Sequence, residues 1–338
     1  MVLVGAALYL AVEMLAEVGW EALRAQLLGA EPVWLAAVVG VLLCRWLVWN
    51  ERWRAALAAV GVTVARRRSF FAIAAAAALN HLTPSFRVFG GLVRARYVTV
   101  PPHAFATSYG AVLFDQLANQ AVAAVLAASA FVGVTWHLGR TGEATAAVVA
   151  LTALVLLVPL LHRHFKRRGL LPWSGSEGSS PGRLGRRLRP LAEHGREVLD
   201  TVRRLLARRG LLLGVGSLGL LLAGFNLLAA WLSFVALGAT VAPLWVFFAV
   251  SLGITLGAVS GTPGGGLTTE AAMVTCYTLL GVEPRLALAA AILYRGLHYA
   301  QVVLLGVPAL VVLETLHRSH RELPSPDRRS PQPPADSR

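Results

Sequence analysis

PLWVFFAVSLGITLGAVSGTPGGGLTTEAAMVTCYTLL occupies residues 243–280 and decides how the rest of the chain is read. Two apolar segments, Pro243 to Ser260 and Leu267 to Leu280, are joined by Gly261-Thr262-Pro263-Gly264-Gly265-Gly266. No continuous helix tolerates that run in its middle, because glycine is unconstrained and proline has no amide hydrogen to donate. At about 1.5 Å of rise per residue, roughly 20 residues are needed to cross hydrocarbon, and Leu267 to Leu280 is too short. The stretch therefore reads as a broken element with one leg in and one leg back. Gly253, Gly257 and Gly261 recur at every fourth position, a spacing that lets two helices approach closely.

A second break lies upstream. Phe70 to Leu82 is also too short to span and runs into Asn80-His81-Leu82-Thr83-Pro84-Ser85-Phe86-Arg87, then Gly90-Gly91, Arg94, Arg96 and Tyr97. Pro84 and the paired glycines are expected to interrupt the helix. Backbone released in this way cannot be satisfied by lipid, so the segment must line protein or water. The other apolar stretches are Met1 to Gly19, Pro32 to Trp49, Ala104 to Trp136, Ala144 to Leu161, Leu211 to Leu237 and Leu286 to Leu313. These give six spanning helices. The N-terminal one reads as a membrane helix and not a signal peptide, since Glu13 and Glu17 stand where a signal peptide is apolar.

Composition agrees. Of 338 residues, 56% are hydrophobic and 14% charged, against roughly 25% charged in a soluble domain. Mean hydropathy is +0.63. The net charge of +14 points away from nucleic acid, because most basic residues lie in short runs between stretches of membrane-spanning length. Thirteen Lys and Arg against four acids fall in the loop 162–210, which the positive-inside rule makes cytoplasmic. Within it, 173–182 is Ser- and Gly-rich, and 186–209 has the pattern of a basic helix on anionic lipid. Residues 314–338, rich in Pro, Ser and Arg, read as a disordered cytoplasmic tail after a 1–313 membrane domain.

Charge also sets the sense of the two breaks. Arg52, Arg54 and Arg66 to Arg68 place the chain inside before Phe70, and Arg87, Arg94 and Arg96 place it inside again afterwards. Counting back from the tail and forward from the basic loop, 243–280 enters and leaves by the opposite face. The expected fold is thus an all-α polytopic membrane protein. It has about six spanning helices plus two re-entrant hairpins of opposite sense, arranged as an inverted repeat with its site near the midplane.

Several residues carry possible chemistry. Arg87 and Arg94 have the forked guanidinium that suits a phosphate, and they equally fit a loop whose arginines snorkel to the interface. Gly261 to Thr268 has the glycine spacing of a phosphate loop, but Leu267 stands where its lysine must be, so no nucleotide cofactor is expected. Glu270 opens the helix after the break and is either a cap or functional. Tyr294 and Arg295 lie several turns inside the last helix, where a charge is costly and needs a partner, and Glu270 is the first choice. Asp115, Gln116, Asn119 and Gln120 form a polar stripe that is either an interhelical seam or part of a headgroup path. Trp34, Trp49, Trp53 and Trp136 fit an interfacial belt. His162, His164 and His194 lack companions at metal spacing, so no metal is expected. Cys44 and Cys276 each sit alone in apolar runs.

On these residues the sequence resembles the membrane region of the lysylphosphatidylglycerol synthase family, also described as flippase-like integral membrane proteins. The resemblance runs from about Leu23 to Leu313. It is carried by Arg52-Trp53, by Pro84, Arg87, Gly90 and Arg94, and by Pro263-Gly264-Gly265, Glu270, Ala287, Tyr294 and Arg295. Relatives usually have Gly-Glu where this chain has Gly90-Gly91, and an acidic-basic pair where it has Asp115-Gln116. Synthases of the family carry a soluble aminoacyl-transferase domain after the membrane part, which this sequence does not show, so lysyl transfer is not expected.

The resemblance implies binding of an anionic lipid or lipid-linked intermediate and movement of its headgroup across a prokaryotic plasma membrane. Substrate would meet Arg87, Arg94, Glu270, Tyr294 and Arg295, between breaks at Pro84, Gly90, Gly91, Pro263, Gly264, Gly265 and Gly266. The alternative is a non-catalytic scaffold that recruits a cytoplasmic glycosyl- or aminoacyl-transferase through the basic loop.

Overall fold

The computed structural model describes residues 19–83, 88–99, 104–143, 145 and 183–322, with side chains at all of these but 88, 183–192 and 316–322. The described residues form α1 (Trp20–Leu28), α2 (Pro32–Ala58), α3 (Arg66–Leu82), α4 (Val88–Val98), α5 (Phe105–His137), α6 (Arg183–Leu206), α7 (Arg209–Ala236), α8 (Pro243–Val259), a 3-10 turn (Pro263–Gly265), α9 (Thr268–Leu279) and α10 (Pro284–Glu322). Four of these are long and apolar enough to cross a membrane: α2, α5, α7 and Pro284–Thr315 of α10. Apart from Gly19 and Thr145, the other two expected spans, Met1 to Gly19 and Ala144 to Leu161, lie outside the described residues, as do 173–182 and 323–338.

The two short pairs fold back on themselves. In the first, Arg68 Nε donates to the Tyr97 carbonyl at 2.6 Å near the open end, and the Gly90 amide donates to Asn80 Oδ1 at 3.1 Å near the tip. α3 and α4 are therefore antiparallel legs of one hairpin. In the second, Gly253 lies against Met273 and Gly257 against Thr269, so α8 and α9 are antiparallel as well.

α10 acts as a ruler for both hairpins. Its first turn follows directly from the end of α9 through the Gly281 turn. Further along, Arg295 reaches Gly264 of the second tip, and His298 and Tyr299 make edge-on ring contacts with His81 of the first tip. Beyond them Gly306 packs on Ala74 and Ala78, and Glu314 accepts a hydrogen bond from Tyr97 at 3.0 Å. The hairpins thus approach from opposite ends of α10, and their tips meet part-way along it.

Two apolar cores lie on either side of that meeting level. One gathers Val38, Leu42, Ala130, Phe234, Phe248 and Tyr277 towards the open end of the second hairpin; the other gathers Trp53, Leu57, Ile73, Phe114 and Val215 towards the open end of the first. The end of the bundle around the first hairpin's open end is basic, with exposed Arg66, Arg67, Arg96, Arg203, Arg204, Arg208 and Arg209. α6 belongs to that end, where Gly110 of α5 sits directly on Thr201 and Thr107 donates to Glu197.

Four expectations are corrected. Gly90 and Gly91 do not break a helix: both lie inside α4, where their missing side chains let it pack on Asn80 and on Gln116 and Tyr109 of α5. α3 ends at Leu82, with Thr83 extended, and α4 begins at Val88. Arg52 is no loop charge, because α2 runs on to Ala58 and buries it to 2% exposure. Trp53, at 0% exposure, is a core residue and not part of an interfacial belt. The last helix continues through 314–322 instead of giving way to a tail at Glu314.

A side chain at Gly257 would overlap Thr269 Oγ1, whereas Gly214 of α7 faces open space. Gly257→Leu is expected to destabilise the fold by about 1 to 3 kcal/mol, read as a lower melting temperature of the detergent-solubilised protein. Gly214→Leu leaves it unchanged.

Candidate functional site

A cavity of about 190 Å³ opens where the tips meet. The first hairpin contributes Asn80, His81 and Thr83, and the second contributes Gly261, Thr262, Gly264 and Gly265. Arg45 and Arg52 of α2, Arg94 of α4 and Arg295 of α10 line it.

The second tip owes its shape to backbone that most residues avoid. Gly264 and Gly265 have φ of 61° and 72°, and the φ of 63° at Leu267 strains a residue with a Cβ. One guanidinium fixes this turn. Arg295 donates through Nε to Glu270 Oε1 at 2.8 Å, and through one terminal nitrogen to the Gly264 carbonyl at 3.0 Å and to the Tyr299 hydroxyl. Tyr299 in turn donates to the same Glu270 oxygen at 2.9 Å. Glu270 Oε2 is buried with no hydrogen-bond partner among the described residues.

The opposite wall is a second charge cluster. Asp115 of α5 accepts from Arg52 Nε through Oδ1 and from Arg94 through Oδ2, both at 2.8 Å. All three residues are at most 3% exposed. Arg52 also donates to Asn119 Oδ1 at 2.9 Å, so the polar stripe on α5 is an interhelical seam. Trp53 lies under the Arg94 guanidinium, 4.2 Å from ring centroid to Cζ, a cation–π contact that supports the charge in an apolar wall. Between the clusters, Asn226 Oδ1 accepts from Arg45 and from the Tyr294 hydroxyl, each at 3.2 Å, and Arg45 also lies 3.4 Å from His298 Nδ1.

Arg94, Tyr294 and Arg295 thus line one cavity, with Gly264 and Gly265 in its wall and Glu270 held beside it by its pair with Arg295. Pro263 and Gly266 complete the turn, Gly266 beside Tyr299. Pro84 and Arg87 lie outside the described residues. Sequence reading passed over Arg45, Asn226 and His298. An available signal was an arginine buried in the apolar run of α2, well inside from Pro32.

Residues 1–306 match the family described as the lysylphosphatidylglycerol synthase TM region. The chain belongs to that family. It is also similar to a UPF0104 membrane protein of Methanothermobacter thermautotrophicus, with 23% identity over 292 residues, covering 83% of this chain and 86% of the relative. It is accordingly an integral membrane protein with several apolar helices. Where the family resemblance leads one to expect an acidic-basic neighbour pair at Asp115-Gln116, this member of the lysylphosphatidylglycerol synthase TM region family has its aspartate bridging arginines from two other helices.

Asp115→Asn keeps the shape and removes the negative charge set between the buried Arg52 and Arg94 guanidiniums. Leaving such charges uncompensated costs about 3 to 5 kcal/mol, so a large drop in melting temperature is expected, and adding Arg94→Met to the same chain recovers part of it.

Proposed function

We propose that the protein binds an anionic phospholipid or lipid-linked intermediate between its two hairpin tips and moves the headgroup across the bilayer. The observation that carries this reading is the charge of the cavity. The guanidiniums of Arg45, Arg52, Arg94 and Arg295 all line it, with the Asp115 carboxylate in the same wall and Glu270 paired to Arg295. Several arginine forks gathered at one cavity match a phosphate in charge and in the geometry of its oxygens.

The hairpins are re-entrant in this reading. Their legs are 17, 11, 17 and 12 residues long, and the tips meet near the middle of α10, which suits an inverted repeat with a midplane site. The basic end faces the cytoplasm of a prokaryotic cell, by the positive-inside rule. A headgroup arriving there meets Arg94 first. It then competes with Glu270 for Arg295, whose release frees the Gly264 carbonyl and loosens the second tip. Binding energy at the phosphate is thereby coupled to movement of the backbone that closes the far side.

In proteoliposomes carrying fluorescent phosphatidylglycerol, Arg295→Gln is expected to lower the rate of lipid transfer between leaflets at least about tenfold. An unchanged rate in a folded Arg295→Gln protein removes Arg295 from the path.

A further inference from the structure

Beside the arginine-lined cavity lies a second one of about 70 Å³, enclosed by α5, α7 and α8. The two share Asn119, Leu222, Asn226 and Ile254 in their walls, so they are continuous in position. Their chemistry differs sharply. Past the two asparagines the smaller cavity is walled by Val122, Leu126, Ala223, Leu227 and Val250, with the Ser251 hydroxyl beside them and no charged side chain. It keeps its opening because Gly219 leaves a space beside Val122, and because Thr255 tethers α8 to the carbonyl of Ala123, the next residue of α5.

The boundary between the two is sharp and polar. Asn119 and Asn226 stand at it with their carbonyl oxygens already engaged by Arg52 and Arg45. A ligand crossing that boundary has its anionic group among guanidiniums and its next few atoms among aliphatic side chains. A free phosphate would have no use for the second half.

We infer that the slot between α5, α7 and α8 receives the first carbons of a hydrocarbon chain attached to the phosphate, so that the substrate is a phosphate-bearing amphiphile whose chain leaves the cavity sideways. This rests on the anion-binding reading above and adds the exit. About 70 Å³ holds only a few methylenes; the rest of the chain continues along the lipid-facing surface, where Leu220, Leu221 and Val125 are exposed. Each methylene taken from water is worth about 0.8 kcal/mol, so a short chain is enough to be felt.

The test compares methyl phosphate with hexyl phosphate, which carry the same anionic group, by calorimetric titration of the full-length protein in phosphatidylcholine nanodiscs. Hexyl phosphate is expected to bind at least about tenfold more tightly than methyl phosphate. Ala223→Trp, which fills the slot, removes that difference and leaves methyl phosphate binding and the melting temperature as they were. The milder Ala223→Leu narrows the difference. Equal binding of the two phosphates by the wild type, or a chain-length preference that survives both substitutions, overturns the exit while the anion site stands. A parallel loss of both ligands in Ala223→Trp also overturns it, since the change then acts on the anion site. Failure of the wild type to bind either phosphate sinks the anion-binding reading itself.

Discussion

A guanidinium placed in the middle of an apolar helix needs partners, and Arg295 finds all of its partners in one place. It holds the Glu270 carboxylate from the start of α9, the Gly264 carbonyl from the strained turn, and the Tyr299 hydroxyl from its own helix. The turn could not keep its unsatisfied backbone at that depth without such a donor. Nor could the arginine stay there without the turn. Each therefore makes the other tolerable, and this mutual need pins the tip of the second hairpin to α10 beside the apolar core that the two share.

The other half of the molecule solves the same problem with different residues. Asp115 takes one guanidinium on each carboxylate oxygen, and the arginines come from α2 and α4, so a spanning helix and a hairpin leg are both tied to α5. His81 at the first tip then closes on Gly264, His298 and Tyr299, which brings the two charge clusters to opposite walls of one space. Apolar cores above and below this level isolate it. What results is a polar layer to which α2, α4, α5, α7, α9 and α10 each contribute a donor or acceptor.

Much of this was legible because it is local. A glycine-proline run between two short apolar segments forces a turn whatever surrounds it, and the every-fourth glycines of α8 announce close packing, which Gly253 and Gly257 provide. Gly261, next in the series, instead ends the helix with a φ of 73°. The Glu270–Arg295 pair was reachable because a charge inside a span demands a partner and few candidates exist. Arg52 was not legible. It stands two residues from Arg54 and looks like the edge of a loop, and its partner Asp115 lies far along the chain on a helix whose register the sequence does not give. Gly90 and Gly91 were misread for a related reason: glycine weakens a helix in isolation, but its small size is an asset where a leg must fold back against Asn80 and α5.

The account stands on two hairpins that each enter and leave a membrane by one face, from opposite sides. Single cysteines at Arg67, Arg96, Thr240 and Glu283, all exposed, test this when Cys44 and Cys276 are replaced and intact cells or sealed vesicles are treated with an impermeant thiol reagent. The first two sites are expected to react from one face only and the last two from the other face only. If the two flanks of either hairpin react from different faces, that element crosses the bilayer and the midplane cavity does not exist.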